Sequence, residues 1–288
     1  MKSTISQTQL LEPSNCVFPP VPAVAPCGDL ISKVDSSSGR FYSIPSTSEK
    51  IFYPSVTTIL KTYFQSYLAR WRGELGNQEA DRLFIEAGEK GTLVHELFSD
   101  LVNGLTLHYK TTYDNSIPNK IIHDDYIFVQ LYKLQQFFEI VKPKIILNEA
   151  MLYSNKYKYA GTLDLLLKVE GGTFLINGRN PVTIKSGIYL ADIKTANNIF
   201  PNYHWQTAAY AKATIERKLV RSITGTMILH TKSKVKNGIE GFSCIVRDKK
   251  QMQEDFKNFL KVKSIYDIDA PQEPAVYQFP NSLNITRS

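Results

Sequence analysis

The feature that most constrains the fold is a change of composition at Pro143. After this proline the chain holds several stretches rich in β-branched and aromatic residues, which are typical of β-strands. They cover residues 145–153, 157–169, 173–176 and 187–194, and two further stretches lie near 223–230 and 241–246. Helical spacing of apolar residues appears between and after them, at about 202–217 and 249–264. The second half of the chain therefore predicts a sheet with helices packed on it.

The first half of the chain is mainly helical in pattern. Residues 40–44 and 50–53 predict a short hairpin, and Pro54-Ser55 then opens a helix. Its apolar residues recur at steps of three and four and predict one continuous stripe: Val56, Ile59, Leu60, Tyr63, Phe64, Tyr67, Leu68 and Trp71. Two more helices are predicted at about 77–101 and 124–141. The whole pattern indicates an α/β fold, with a mixed central β-sheet flanked by helices and an α-helical N-terminal section.

Charge and cysteine content bound the class of partner and the compartment. The chain has 34 basic and 27 acidic residues, a net charge of +7 that favours a polyanionic partner, although many basic proteins bind none. Cys16, Cys27 and Cys244 are odd in number and lack metal-ligand spacing, which indicates thiols in a reducing compartment. No apolar run approaches the ~20 residues that span a bilayer, and no secretion signal is visible. We expect a cytoplasmic protein without membrane contact, and an organelle remains an alternative.

Two carboxylates lie where a strand ordinarily carries apolar side chains. Asp192 and Lys194 are two residues apart, so on a strand they project to the same face. Asp164 interrupts the leucine-rich run 161–167, where an unpaired carboxylate is costly to bury. Together the two carboxylates would form an oxygen-rich site that suits Mg²⁺ or Mn²⁺. Taken singly, Asp192 and Lys194 could instead form a surface ion pair, and Asp164 could cap a turn or face solvent.

Five motifs follow one another along the chain: Gly91-Thr92-Leu93-Val94-His95, Asn148-Glu149, Gly161-Thr162-Leu163-Asp164, Asp192-Ile193-Lys194 and Gln206-Thr207-Ala208-Ala209-Tyr210. This ordered series resembles the RecB-like branch of the PD-(D/E)xK nuclease superfamily. The segment Pro54-Ser55-Val56-Thr57-Thr58-Ile59-Leu60 also resembles phage exonucleases and the mitochondrial genome maintenance exonuclease. The resemblance covers roughly residues 54–217. It implies a restriction-endonuclease-like core and phosphodiester hydrolysis.

The same resemblance implies a role for each matched residue. Asp164 and Asp192 would bind the metal ion together with His95 and the backbone carbonyl of Ile193. Glu149 would hold a metal-bound water or a second ion, and Lys194 would orient the attacking water. Gln206 and Tyr210, four residues apart on one helical face, would support Lys194. Taken without the motif, Tyr210 would be a core aromatic residue, Gln206 a surface residue and His95 a histidine buried on an apolar face.

Contacts with nucleic acid are predicted from basic and aromatic residues near these motifs. The candidates are Arg70, Arg72, Lys90 and Trp205, and beside them stand Tyr203 and the basic run 232–236. Burial of Trp205 against the sheet and solvation of the basic run are the alternatives. The three cysteines are too few for the iron–sulfur cluster of some RecB-like nucleases, and no nucleotide-binding Walker A motif is present.

These patterns predict an extended or mobile arm at 1–30, a single RecB-like nuclease domain at 31–270 and a tail at 271–288. Within the domain, the helical section covers 54–142 and the catalytic core 143–265. The expected activity is that of a metal-dependent DNA exonuclease acting on single strands or DNA ends. An endonuclease, a subunit of a larger complex, a catalytically silent nucleic-acid-binding module and a hydrolase of small phosphate esters are the alternatives.

Overall fold

The computed structural model describes residues 31–44, 46, 51–63, 65–110, 119–176, 181–234 and 240–275. The predicted arm at 1–30 and most of the predicted tail therefore lie outside the described residues. So do Cys16, Cys27, Lys50, Phe64, Val235 and Lys236.

The described part of the chain contains twelve strands and six helices. The strands are β1 (Ser32–Ser36), β2 (Gly39–Ile44), β3 (Ile51–Pro54), β4 (Thr106–Tyr109), β5 (Asn119–Ile122), β6 (Lys144–Ser154), β7 (Tyr159–Val169), β8 (Gly172–Phe174), β9 (Val182–Ile184), β10 (Gly187–Lys194), β11 (Gly225–Lys234) and β12 (Glu240–Asp248). The helices are α1 (Val56–Leu60), α2 (Ser66–Leu75), α3 (Asn77–Val102), α4 (Asp125–Val141), α5 (Pro201–Glu216) and α6 (Lys249–Asp269).

The central sheet has five strands in the order β12-β11-β10-β7-β6. Strands β10 and β11 are parallel, while the other neighbouring pairs are antiparallel. The parallel pair arises because α5 carries the chain from the end of β10 back to the start of β11. The predicted mixed central sheet with flanking helices is thereby confirmed.

Helices cover both faces of this sheet. Buried residues of α3 and α4 pack with Leu165 and Leu167 of β7 in one apolar layer. Residues of α1, α5 and α6 pack with Leu163 and Leu166 in the other. Strands buried on both faces read as near-continuous apolar runs, which explains the leucine-rich sequence of β7.

Local signals fix the starts of several helices. Ser55 accepts a hydrogen bond from the backbone N–H of Thr58, and Asp124 accepts one from Ile127. Asp248 and Gln251 form a reciprocal capping box at the start of α6. These side chains satisfy backbone donors that have no partner within the helix.

The predicted continuous helix over 54–71 is wrong, because the chain forms two helices there. Val56, Ile59 and Leu60 are buried under the sheet as α1, whereas Tyr63 and Tyr67 are exposed and contact the rings of Trp205 and Phe200. An apolar period of three and four residues does not distinguish one helix packed on a core from two helices packed on different partners. Strands β1, β4, β5 and β9 were also not predicted, and all of them lie in the small accessory sheets.

None of the helices in the described ranges is both long enough and apolar enough to cross a lipid bilayer.

Candidate functional site

Three acidic residues lie side by side across three neighbouring strands. On β6 and β7, the pairs Asn148–Leu165 and Ala150–Leu163 place Glu149 opposite Asp164. On the other side of β7, Ala191 pairs with Leu165, so Asp192 of β10 is next in register to Asp164. The strand register therefore brings together carboxylates that are far apart in the sequence.

The backbone departs from a regular pleat at this row. Glu149 has a φ of 48°, a left-handed conformation that is unfavourable for a residue with a side chain. On β7, Leu163 and Leu165 pack in opposite layers, although alternation would place both in one layer. The irregularity falls at Glu149 and Asp164, and strained backbone of this kind concentrates at functional sites.

Helix α3 brings an imidazole to the row. A Cβ added to Gly91 would lie 3.3 Å from Thr195 Oγ1, so this glycine allows α3 to pass close to the end of β10. One turn later, His95 places Nε2 at 3.1 Å from the carbonyl oxygen of Ile193. Its Nδ1 lies 3.5 Å from Asp164 Oδ2 and 3.8 Å from Glu149 Oε1.

A hydrogen bond between side chains fixes the strand beside the helix. Asn148 Nδ2 donates to Ser99 Oγ at 2.7 Å, one turn after His95 on α3. Asn148 belongs to the Asn148-Glu149 motif, but no sequence pattern indicates its contact with Ser99. The contact holds the residue before Glu149 against the helix that carries His95.

The donor set at this position suits a divalent cation. One ligand atom from each of His95, Glu149 and Asp164 can be chosen so that all lie within 4.8 Å of one another. With the proton on Nε2, His95 donates to the Ile193 carbonyl and directs its Nδ1 lone pair at both carboxylates, an orientation typical of metal-binding histidines. Asp164 Oδ2 also accepts a hydrogen bond of 2.8 Å from the backbone N–H of Ile193, which fixes its position.

Asp192, Lys194 and Gln206 form a second group of polar side chains beside the cluster of His95, Glu149 and Asp164. Lys194 Nζ is 2.6 Å from Asp192 Oδ2, and Gln206 Nε2 donates to Asp192 Oδ1 at 3.2 Å. Lys194 also lies 3.4 Å from Gln206 Oε1. Asp192 and Lys194 thus lie on one face, as the strand spacing predicts. The structure places Glu149, rather than Asp192, in the closest group of ligand atoms.

Tyr210 is buried behind this second group. Its ring packs so closely on β7 that a Cβ added to Gly161 would lie 2.4 Å from Tyr210 Cε1. The backbone carbonyl oxygen of Ile193, which the resemblance implies to be a metal ligand, lies within hydrogen-bond distance of His95 Nε2. Gly161 and Tyr210 therefore serve to bring α5, and Gln206 with it, close to the sheet.

The charges of these groups depend on one another. Burial alone would lower the pKa of His95, but Asp164 and Glu149 outweigh it and raise this pKa to about 10. Burial opposes ionisation of Asp164, yet His95 holds the pKa of this carboxyl below its ordinary value. Burial raises the pKa of Asp192 to about 6 against the opposing effect of Lys194. The carboxylates therefore attract one positive charge here, for which a proton on His95 and a bound cation would compete.

The residues that are predicted to contact nucleic acid lie on helices α2, α3 and α5 and on strand β11. Arg72 is ion-paired with Asp81, and Lys90 lies 2.8 Å from Glu86. Arg70 is exposed on α2. The Trp205 ring packs edge-on against Tyr63 at 4.8 Å. Lys232 lies 5.3 Å from the Tyr126 ring, as Lys90 does at 5.5 Å.

Comparison with known proteins leaves the family open. No family model matches the chain, and no curated protein matches it. The chain is similar to a solved structure from Eubacterium rectale named "Putative exonuclease", at 11% sequence identity and a TM-score of 0.30, over 68% of this chain and 77% of that one.

Proposed function

We propose that the protein is a divalent-metal-dependent nuclease that hydrolyses phosphodiester bonds of DNA. The observation that carries the proposal is the convergence of His95, Glu149 and Asp164 beside the Asp192–Lys194 ion pair. The two carboxylates supply the oxygen ligands that suit Mg²⁺ or Mn²⁺. The net charge of +7 is compatible with a polyanionic substrate.

Each group has a task that its position allows. His95, Glu149 and Asp164 would hold the cation, which when bound polarises a phosphate and lowers the pKa of a water molecule. Lys194 would orient the attacking water and neutralise charge that develops on the phosphate. Asp192 and Gln206 hold the ammonium group of Lys194 in place. Ordering of these groups before substrate arrives avoids the cost of arranging them during the reaction.

Cleavage of DNA by purified protein tests this proposal. With Mn²⁺, the wild-type chain should degrade end-labelled DNA, and Lys194→Ala should reduce the rate by at least about 100-fold because charge stabilisation is lost. Lys168→Ala is the matched control, since Lys168 is an exposed lysine on β7. Cleavage that survives in Lys194→Ala would reject the assigned role of the lysine. Binding of DNA without cleavage under any divalent metal would favour a silent binding module.

The proposal also includes a preference for cleavage from the ends of a DNA strand. Helices α2 and α3 contact one another through Trp71 and Phe84 and form a wall beside Gln206. Such a wall favours a strand that enters by its end. Linear single-stranded DNA should therefore be degraded, while circular single-stranded DNA of the same sequence should persist. Equal rates on circles and linear strands would indicate an endonuclease.

A further inference from the structure

A cleft lined by aromatic residues opens beside the Asp192–Lys194 pair. Its volume is about 520 Å³, and its walls come from the end of α1, from α2, from α3 and from α5. Tyr63, Phe84 and Tyr203 contribute rings, and Arg72, Asn202 and Gln206 contribute polar groups. No acidic residue is among the described residues that line it.

The cleft is continuous with the proposed active site. Gln206 lines the cleft and also donates to Asp192 and lies beside Lys194. Tyr203 lines it too, and Lys194 Nζ lies 4.9 Å from the centre of its ring. A group bound in the cleft would therefore be next to a phosphate bound at Lys194.

Two of the rings that line the cleft pack against tryptophan rings that are not part of its lining. Tyr63 packs edge-on against Trp205 with ring centres 4.8 Å apart, and Phe84 packs edge-on against Trp71 at 5.3 Å. Both lining rings keep surface exposed to solvent, at 36% for Tyr63 and 43% for Phe84. Rings that are held by a neighbouring ring and remain partly exposed to solvent can bind a flat aromatic ligand at low entropic cost.

We infer that this cleft binds one unpaired nucleobase of the substrate strand, next to the phosphate that is cleaved. The inference rests on the proposed nuclease function. Bases stack on aromatic side chains whatever their identity, and the cleft has room for one base. In a duplex the same base is paired and stacked, so the cleft selects single strands.

An abasic scan tests whether a base occupies the cleft. In the Lys194→Ala background, the affinity for a fluorescent single strand is measured with a single abasic residue placed at each position in turn. One position should cost at least about fivefold in affinity, the low end of the effect of losing one stacked base. In the additional variants Phe84→Ala and Tyr63→Ala, the same abasic residue should cost little, because its partner ring is already gone.

Matched variants separate stacking from loss of structure. Phe84→Trp retains a ring and should keep the sensitivity to the abasic position. Tyr132→Ala removes a half-exposed ring of α4 that is not among the residues lining the cleft and should also keep it. An abasic effect of equal size with and without the Phe84 and Tyr63 rings would overturn the inference.

The test distinguishes this inference from the proposed function. If wild-type protein cleaves DNA but shows no position-dependent abasic effect, the cleft does not bind a base and the nuclease proposal stands. If strands bind with a ring-dependent abasic effect but are never cleaved, the cleft is a base site and the nuclease proposal fails.

Discussion

A single backbone conformation, that of Glu149, shows how the site departs from an ordinary strand. Its φ of 48° places a residue with a side chain where glycine is favoured. The carboxylate also lies near that of Asp164 and close to His95. The unfavourable backbone conformation therefore lowers the stability of the fold at a residue whose position suits the proposed cation site.

Substitution of Glu149 should therefore rank glycine above alanine. Glu149→Gly should be more stable than Glu149→Ala by about 1 kcal/mol, because only glycine adopts positive φ without steric cost. Both variants should lose cleavage activity. Urea unfolding measures the difference, and the same pair of substitutions at Lys168 is the control.

At Lys168, on the regular and exposed part of β7, the order should be reversed, since glycine weakens an ordinary strand. Glycine ranking below alanine at both positions would show that Glu149 is not strained.

Single residues differ in how far the sequence reveals them. Asp164 and Asp192 could be predicted as a pair because each interrupts an apolar strand. The position of His95 beside Glu149 and Asp164 depends on the path of α3 over β10. That path follows from tertiary packing at Gly91 and Thr195. The positive φ of Glu149 has no local signal, because the residue is neither glycine nor asparagine.

Two close contacts between elements position the site. One joins Gly91 of α3 to Thr195 after β10, and the tighter one joins β7 to α5. Gly161 allows the Tyr210 ring to contact the strand. The long strands and helices of the core could be predicted because their apolar periods are long. The division into helices α1 and α2 and the strands β1, β4, β5 and β9 could not, because their apolar residues pack on partners that the period does not identify.

Gly161→Ala should separate these two elements. The added Cβ would lie 2.4 Å from Tyr210 Cε1, so the strand or the ring must move, at a cost of about 1–3 kcal/mol. Activity should fall as well, since Gln206 lies on the same helix. Urea unfolding measures the stability change.

Gly88→Ala is the control for this substitution. An added Cβ at Gly88 meets no described atom within 4 Å, and the residue is exposed within α3. Alanine should stabilise this helix by about 0.5–1 kcal/mol. A Gly161→Ala variant that is as stable as the wild type would show that the β7–α5 contact is not tight.

The whole molecule should lose stability in acid partly through one buried histidine of α5. Burial, with a smaller contribution from Arg247, lowers the pKa of His204 to about 4. The ordinary value is about 6.5, so the unfolded chain binds a proton that the folded chain resists. The stability that neutral His204 allows is present above pH 6.5 and is lost as the pH falls from 6.5 towards 4.

Thermal unfolding between pH 7 and 4.5 measures this effect. His204→Gln should show a smaller fall in Tm than the wild type over this range, because it cannot take up the proton. His123→Gln is the control, since His123 is exposed. A wild-type slope that is unchanged in His204→Gln would contradict the assignment.

The position of a bound cation tests the central claim most directly. Crystals grown with Mn²⁺ and measured at the manganese absorption edge would locate the ion by its anomalous signal. The account predicts a peak within coordination distance of His95 Nδ1 and of carboxylate oxygens of Glu149 and Asp164. A well-ordered site without a peak between these three residues would contradict it.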